Sequence, residues 1–124
     1  ESEERSRVAE VKTAQVDEEG SVGYYESTVS EYLEKGQWSE LERVSAEALE
    51  RYPLQPYFYY ANGVSWLKQE QAEKAVQVLE AGEAMLLEDS EVSQLIFSAL
   101  AEAHNALGDT EKAKKYLNKL KSGS

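Results

Sequence analysis

The chain has 124 residues, 41% of them apolar, which suits a single folded domain with a hydrophobic core. Its net charge of −11 argues against a nucleic-acid partner, because phosphate binding requires a basic surface. It contains no cysteine, which excludes disulfides and thiolate chemistry, and no apolar run is long enough to predict insertion into a membrane.

The first 21 residues differ in composition from the rest of the chain. Residues 1–7 are highly charged, and Val8 and Val11 begin a thin apolar stripe that precedes a loop at 17–21. This segment fits both a short amphipathic helix and a disordered tail. The chain starts at Glu1 rather than methionine, which indicates a fragment or a mature form.

The first helix pair is predicted from helical periodicity and from residues that stop or start helices. The first helix carries one apolar face, formed by Tyr25, Val29 and Tyr32. It ends at Gly36. Ser39 and Glu42 have the spacing of a capping box, which predicts that the second helix starts at Ser39, and Tyr52-Pro53 is predicted to stop it.

The second pair begins at Pro56, which suits the first turn of a helix because proline lacks an N–H. The packing face of this third helix is predicted to consist of Tyr59, Gly63 and Trp66. After a break at 69–71, a fourth helix is predicted from Ala75, Val78, Leu79 and Gly82, extended through Met85 to Leu87.

The third pair starts where Asp89 or Ser90 caps a fifth helix. Gly108 marks the turn to the sixth helix. Three apolar residues of that last helix are predicted to face outward: Tyr116, Leu117 and Leu120. Such an end predicts docking of a partner, of the remainder of a longer chain, or of a second copy.

The three pairs match one another in phase, which is the strongest signal in the sequence. The first pair contributes Tyr25, Tyr32, Leu41 and Ala48. Adding 34 to these numbers gives Tyr59, Trp66, Ala75 and Gly82, and adding 38 more gives Phe97, His104, Ala113 and Leu120. The turn residue Gly36 corresponds in the same way to Gly108. The four extra residues are expected within 83–91, where one added helical turn keeps the apolar face in place.

On these residues, positions 22–121 resemble the tetratricopeptide repeat family. The third pair carries the family pattern at Phe97, Leu100, Ala101, His104, Gly108, Ala113 and Leu117. The resemblance implies an all-α fold, a right-handed α-solenoid of about three antiparallel helix pairs behind the N-terminal segment 1–21. Repeats are expected at about 22–55, 56–93 and 94–121, with 122–124 as a tail. The sequence of residues 48–56 is similar to that of bacterial envelope-associated members of this family. A bacterial cytoplasmic or envelope location is therefore expected.

The aromatic run Tyr57-Phe58-Tyr59-Tyr60 cannot lie on one side of a helix. Tyr57, Tyr60, Val64 and Leu67 share a second face, and the alternatives for it are a partner-binding groove or packing on neighbouring segments. In the resembled family the first helix of each pair lines a concave groove. The resemblance therefore implies a binding groove of Tyr57, Tyr60, Val64, Leu67, Glu26, Ser30, Leu33, Ser98, Glu102 and Asn105, with Leu95 beside them.

No residue pattern in the sequence predicts catalysis. The single histidine, His104, occupies the repeat position of Tyr32 and Trp66 and is interpreted as a packing residue. The glutamates near residues 80–91 lack the spacing of a calcium loop and are interpreted as a solvated face. We therefore expect no catalytic residue, no metal and no cofactor.

Two functions remain for such a chain. The first is a protein-interaction module that binds a peptide or protein segment in the groove. The alternative is a structural or oligomerisation module of a larger envelope or cytoplasmic protein, with no peptide ligand of its own.

Overall fold

The computed structural model describes residues 18–123, with side chains described as far as residue 120. In this range the chain forms six helices and no strand. The helices are α1 (Val22–Lys35), α2 (Trp38–Arg51), α3 (Pro56–Lys68), α4 (Ala72–Ala84), α5 (Glu91–Ala106) and α6 (Thr110–Gly123). Consecutive helices pack as antiparallel pairs, α1 with α2, α3 with α4 and α5 with α6, and each pair packs on the next. The prediction of an all-α helical repeat fold is confirmed.

The N-terminal prediction lies mostly outside the described residues. Residues 18–21 form a turn, as expected, and Ser21 caps α1 by accepting a hydrogen bond from the backbone N of Tyr24 at 3.0 Å. At the other end, α6 continues to Gly123, beyond the predicted limit at residue 121. No helix of the described range combines the length and apolarity needed to cross a bilayer.

The helix starts agree with the sequence except at α2. Pro56 occupies the first turn of α3, and Ser90 caps α5 through a reciprocal pair of hydrogen bonds with Ser93. The capping box predicted at Ser39 is wrong, because α2 already begins at Trp38 and its N-cap is Gln37, which makes no side-chain cap. Ser39 therefore lies inside the first turn of α2.

The turn inside each pair has the same geometry three times. The backbone N–H of Gln37 donates to the carbonyl of Tyr32 at 3.0 Å, and Gln71 to Trp66 and Asp109 to His104 each do so at 2.8 Å. These donors and acceptors are related by the same steps of 34 and 38 residues as the sequence repeat. The repeat is therefore present in the backbone as well as in the side chains.

The four additional residues of the third pair do not extend α4. That helix ends at Ala84, so the predicted continuation to Leu87 is wrong, and residues 85–90 form an irregular linker. Most of the insertion lengthens α5 at its start, since α5 has 16 residues and α3 has 13. The Ser90 cap explains this placement, because it fixes the first turn of α5.

The array is curved toward its first helices. Besides the contacts between consecutive helices, α1 packs on α3 and α3 on α5. The second helices α2, α4 and α6 make no comparable contacts with one another within the described range. The first helices therefore lie closer together and form the inner face of the array.

The core is divided into two clusters that share α3. One cluster joins α1 and α2 to Phe58 and Ala61 of α3. The other joins α4, α5 and α6, with Tyr60, Trp66 and Leu67 of α3 packed against it. Phe58 is fully buried, whereas Tyr59, predicted as the packing residue, is only partly buried. Of the predicted face, Gly63 is buried and Trp66 is partly buried.

Glycine allows α3 and α4 to approach closely. A methyl group added at Gly63 would lie 2.5 Å from Cγ of Leu79, and one added at Gly82 would lie 2.6 Å from Cβ of Tyr59. Both distances are shorter than real carbon contacts allow. Each helix thus uses a glycine to accept a large side chain of the other.

Candidate functional site

The inner face contains a depression between α3 and α5. Eight residues line it, four from each helix: Tyr60, Val64, Leu67, Lys68, Leu95, Ser98, Ala99 and Glu102. We call this depression the α3–α5 groove. Its floor is apolar, since Val64 is 9% exposed and Ala99 is 6% exposed. Helical spacing explains the lining, because positions 60, 64, 67 and 68 share one face of α3, and 95, 98, 99 and 102 share one face of α5.

Two tyrosines stand at one end of the groove. The rings of Tyr57 and Tyr60 are stacked, with centroids 6.1 Å apart and an interplanar angle of 29°. The hydroxyl groups of Tyr57 and Ser30 are hydrogen-bonded at 2.7 Å, which links α3 to α1. Ser30 thus holds Tyr57 in place beside Tyr60.

Five of the ten predicted groove residues line this depression: Tyr60, Val64, Leu67, Ser98 and Glu102. Tyr57 and Ser30 adjoin it through the stacked rings and the hydrogen bond. Leu33 packs instead against the core around α1 and α2, while Glu26 and Asn105 are exposed and do not line the groove. Ala99 was missed, although its spacing of four from Leu95 places it on the same helical face.

Glu102 places a negative charge near Tyr60 in the groove. Burial, and then the neighbouring Tyr57 and Glu102, raise the pKa of the Tyr60 phenol above its usual range. Among the described residues Glu102 has no ion-pair partner, whereas Glu31 and Glu83 are each paired with a lysine. The other end carries Lys68, whose ammonium lies 5.7 Å from the ring centroid of Trp38.

A buried polar network fixes α3 against α2 and so positions the groove. The amide nitrogen of Asn62 donates to Ser45 Oγ at 2.8 Å and to the backbone carbonyl of Glu42 at 3.3 Å. The amide oxygen of Asn62 accepts the indole N–H of Trp66 at 3.1 Å. Both N–H donors of the Asn62 amide and one of the two acceptor positions on its oxygen form hydrogen bonds. The free-energy cost of burying the amide is therefore small. It also explains why position 45 is a small serine.

His104 is a packing residue, as the repeat position predicts. It is 4% exposed, and its ring is stacked on Tyr116 with centroids 5.8 Å apart and an interplanar angle of 2°. Its Nε2 has no hydrogen-bond partner among the described residues. The ring contact of His104 among the described residues is therefore with an aromatic side chain, Tyr116.

Tyr116 and Glu83 do not behave as the sequence predicts. Tyr116 was expected to face outward, but it is 4% exposed and packs on Phe97 and His104. Its hydroxyl donates to Glu83 Oε1 at 2.9 Å, and Lys119 donates to Glu83 Oε2 at 3.0 Å. Of the predicted outward face, Leu117 is 43% exposed and Leu120 is partly buried.

A second, polar depression lies between α1 and α2 and had no clear signal in the sequence. Charged residues of both signs line it, including Arg43, Glu47 and Arg51. Arg51 donates to the carbonyl of Gly20 at 3.1 Å, and Tyr52 donates to the same oxygen at 2.7 Å. Burial, and then Glu47, raise the pKa of Tyr25 there. These contacts hold the start of α1 against the end of α2.

Within the described residues, no group of three or more histidine, aspartate or glutamate side chains is placed to hold a metal ion. No profile of a known protein family matches this chain, and no curated protein matches its sequence.

Proposed function

We propose that this chain is a bacterial tetratricopeptide-type repeat module that binds a protein segment in the α3–α5 groove and catalyses no reaction. The in-phase repeat of 34 and 38 residues supports the family assignment. The observation that carries the binding function is the groove itself, an apolar floor with tyrosines at one end on the inner face of the array.

The groove has the composition of a protein-binding surface. Tyrosine provides a large contact area and a hydroxyl group at a small cost in conformational entropy. Tyr57 and Tyr60 are partly buried and stacked in the free chain. They therefore lose less side-chain conformational entropy when a partner binds. Ser98, on the opposite wall, is exposed and leaves space above the floor.

The test is peptide selection against the intact chain with a matched pair of variants. Random dodecapeptides displayed on phage are selected on the wild type and then measured against Ser98→Trp and Ala81→Trp. Ser98→Trp fills the groove from its exposed wall without removing core contacts, and Ala81→Trp places the same ring at an exposed position of α4. We expect Ser98→Trp to abolish capture and Ala81→Trp to retain it. Triple replacement of Tyr57, Tyr60 and Leu67 by alanine should also abolish capture, with circular dichroism checking helicity because all three pack against the core.

A scaffold function without a peptide ligand is the second candidate. Large apolar residues are exposed in both linkers between pairs, Leu54 at 73% and Leu87 at 98%, and Leu117 is exposed on α6. These exposed side chains are available for contact with other chains. Light scattering across a range of concentrations, done on the same preparation, decides between the two. Self-association together with no selected peptide favours the scaffold, and a monomer that captures groove-dependent peptides favours binding.

A further inference from the structure

We infer that the α3–α5 groove selects a segment in which a lysine or arginine lies next to a large apolar side chain. The cation is bound by the rings of Tyr57 and Tyr60 and by the carboxylate of Glu102, and the apolar side chain lies on Val64. This inference rests on the proposed function, because it names the partner chemistry of the same groove.

The chain already contains a complete example of the same arrangement elsewhere. Between α4 and α6, the ammonium of Lys119 is 3.0 Å from Glu83 Oε2 and 5.4 Å from the ring centroid of Tyr116. A tyrosine ring and a carboxylate thus hold one lysine together. Lys74 over Trp66, at 4.4 Å, is a further case of a lysine placed on an aromatic ring.

The groove has the tyrosine and the carboxylate of this arrangement without a lysine. Tyr60 and Glu102 are close enough for the carboxylate to raise the pKa of the phenol, and both line the groove. Among the described residues no lysine or arginine pairs with Glu102. The negative charge of Glu102 and the negative faces of the stacked rings therefore attract a cation that the described part of the chain does not supply.

The opposite end of the groove rejects a second cation and sets the direction of the segment. Lys68 lines that end. Between the two ends the floor of Val64 and Ala99 and the side chain of Leu95 are apolar. A segment with its cation at Tyr60 consequently places its neighbouring side chain on this apolar floor, where burial removes apolar surface from water.

An acidic segment is the competing ligand, and the charges oppose it. The whole chain has a net charge of −11, and among the described residues Lys68 is the only cationic one that lines the groove. Long-range repulsion would slow the approach of an acidic segment and Glu102 would weaken its binding. A preference for acidic peptides would therefore overturn the inference.

The experiment uses the same phage-displayed random dodecapeptides. Selection on the wild type is compared with selection on Glu102→Gln and on the control Glu50→Gln, which removes the same charge from an exposed position of α2. We expect sequences with lysine or arginine beside a large apolar residue to be enriched on the wild type and on Glu50→Gln. On Glu102→Gln this enrichment of basic residues should fall.

A double-mutant cycle on one selected peptide gives the decisive number. Replacing its basic residue by norleucine, and Glu102 by glutamine, should each raise Kd about two- to fivefold, the range of an accessible ion pair. The norleucine peptide should bind the wild type and Glu102→Gln equally, and added salt should weaken only the basic peptide. Independent effects of the two changes would overturn the inference.

Failure of this inference is distinguishable from failure of the proposed function. Peptides that are blocked by Ser98→Trp but show no basic preference would leave groove binding intact and overturn the cation site. Absence of any peptide blocked by Ser98→Trp would overturn both.

Discussion

A glutamate occupies a left-handed backbone position in the turn between α3 and α4. Glu70 has a φ of 64°, and the equivalent residues in the other two turns, Gly36 and Gly108, have φ of 69° and 80°. Only glycine adopts this region without steric cost, because other residues bring Cβ close to the backbone carbonyl. The repeat phase imposes the turn at residue 70 although the sequence there is not glycine.

We predict that Glu70→Gly stabilises the chain by about 0.5–1 kcal/mol, the cost of the left-handed conformation less the gain in unfolded-state entropy. The matched reverse change is Gly108→Glu. A Cβ at Gly108 meets no atom within 4 Å, so only the backbone penalty applies, and a loss of about 1 kcal/mol is expected. Urea denaturation of both variants measures the free energy of unfolding. If both substitutions changed the free energy of unfolding in the same direction, the two turns would not be equivalent.

The individual core residues show where sequence periodicity is sufficient and where it fails. The spacing of Tyr25, Val29 and Leu41 correctly identified buried residues of the first pair, whereas Tyr32, predicted on the same face, is only partly buried. In the run 57–60 every position is aromatic, so periodicity cannot distinguish the faces. Phe58 takes the buried position because it lacks a hydroxyl, whereas the Tyr59 hydroxyl donates to the Pro53 carbonyl at 2.7 Å.

At the scale of one element, α6 is held by contacts that bridge two other helices. Tyr116 packs on Phe97 and His104 of α5 and donates its hydroxyl to Glu83 of α4. The sequence predicted the helix but not the direction of Tyr116, because its partner Glu83 is 33 residues away and was interpreted as solvated. Only the packing of α6 across α4 and α5 brings the two groups together.

We predict that Tyr116 contributes to a loss of stability at alkaline pH. Burial, and then Glu83, raise the pKa of the Tyr116 phenol above the ordinary value of about 10. The folded state therefore keeps the proton that the unfolded state releases. The contribution is fully present below about pH 10 and declines as the pH rises toward the folded-state pKa.

The measurement is the free energy of unfolding from about pH 9 to about pH 11 for the wild type and Tyr116→Phe. Over this range the variant should lose less stability, by at most about 1.4 kcal/mol per pH unit, the limit for one proton. Tyr57→Phe is the control, because the Tyr57 hydroxyl is hydrogen-bonded to Ser30 rather than to Glu83. Parallel profiles for wild type and Tyr116→Phe would contradict the prediction.

Helix lengths and linkers were predictable only in part. The phase of the repeat located all six helices, since apolar spacing and the residues Gly36, Pro56 and Gly108 mark their limits. The extension of α4 to Leu87 was predicted wrongly, because sequence offset alone cannot separate a longer α4 from a longer α5. The Ser90–Ser93 cap determines that α5 is the longer helix, because it fixes where α5 begins. This reciprocal pair of serines differs from the usual serine–glutamate capping box.

At the scale of the whole molecule, α3 is the joint between two cores. Phe58 and Ala61 face the cluster of α1 and α2, while Trp66 and Leu67 face the cluster of α4, α5 and α6. The Asn62–Ser45 hydrogen bond adds a polar link across the first of these interfaces. The sequence predicted a stacked array but not this division, which depends on the faces of one helix. In a linear array, each pair is stabilised by its neighbours alone, so damage to one interface should remain local.

We predict that Phe58→Ala and Ile96→Ala loosen opposite ends of the molecule. Each removes a fully buried side chain and should cost about 2–5 kcal/mol at its own interface. Under native conditions, hydrogen exchange should then speed up mainly in α1 and α2 for Phe58→Ala, and mainly in α5 and α6 for Ile96→Ala. Because the α3–α5 groove belongs to the second cluster, Phe58→Ala should also retain more of its peptide capture than Ile96→Ala. A uniform rise in exchange across all six helices for both variants would instead mean that the two cores unfold as one cooperative unit.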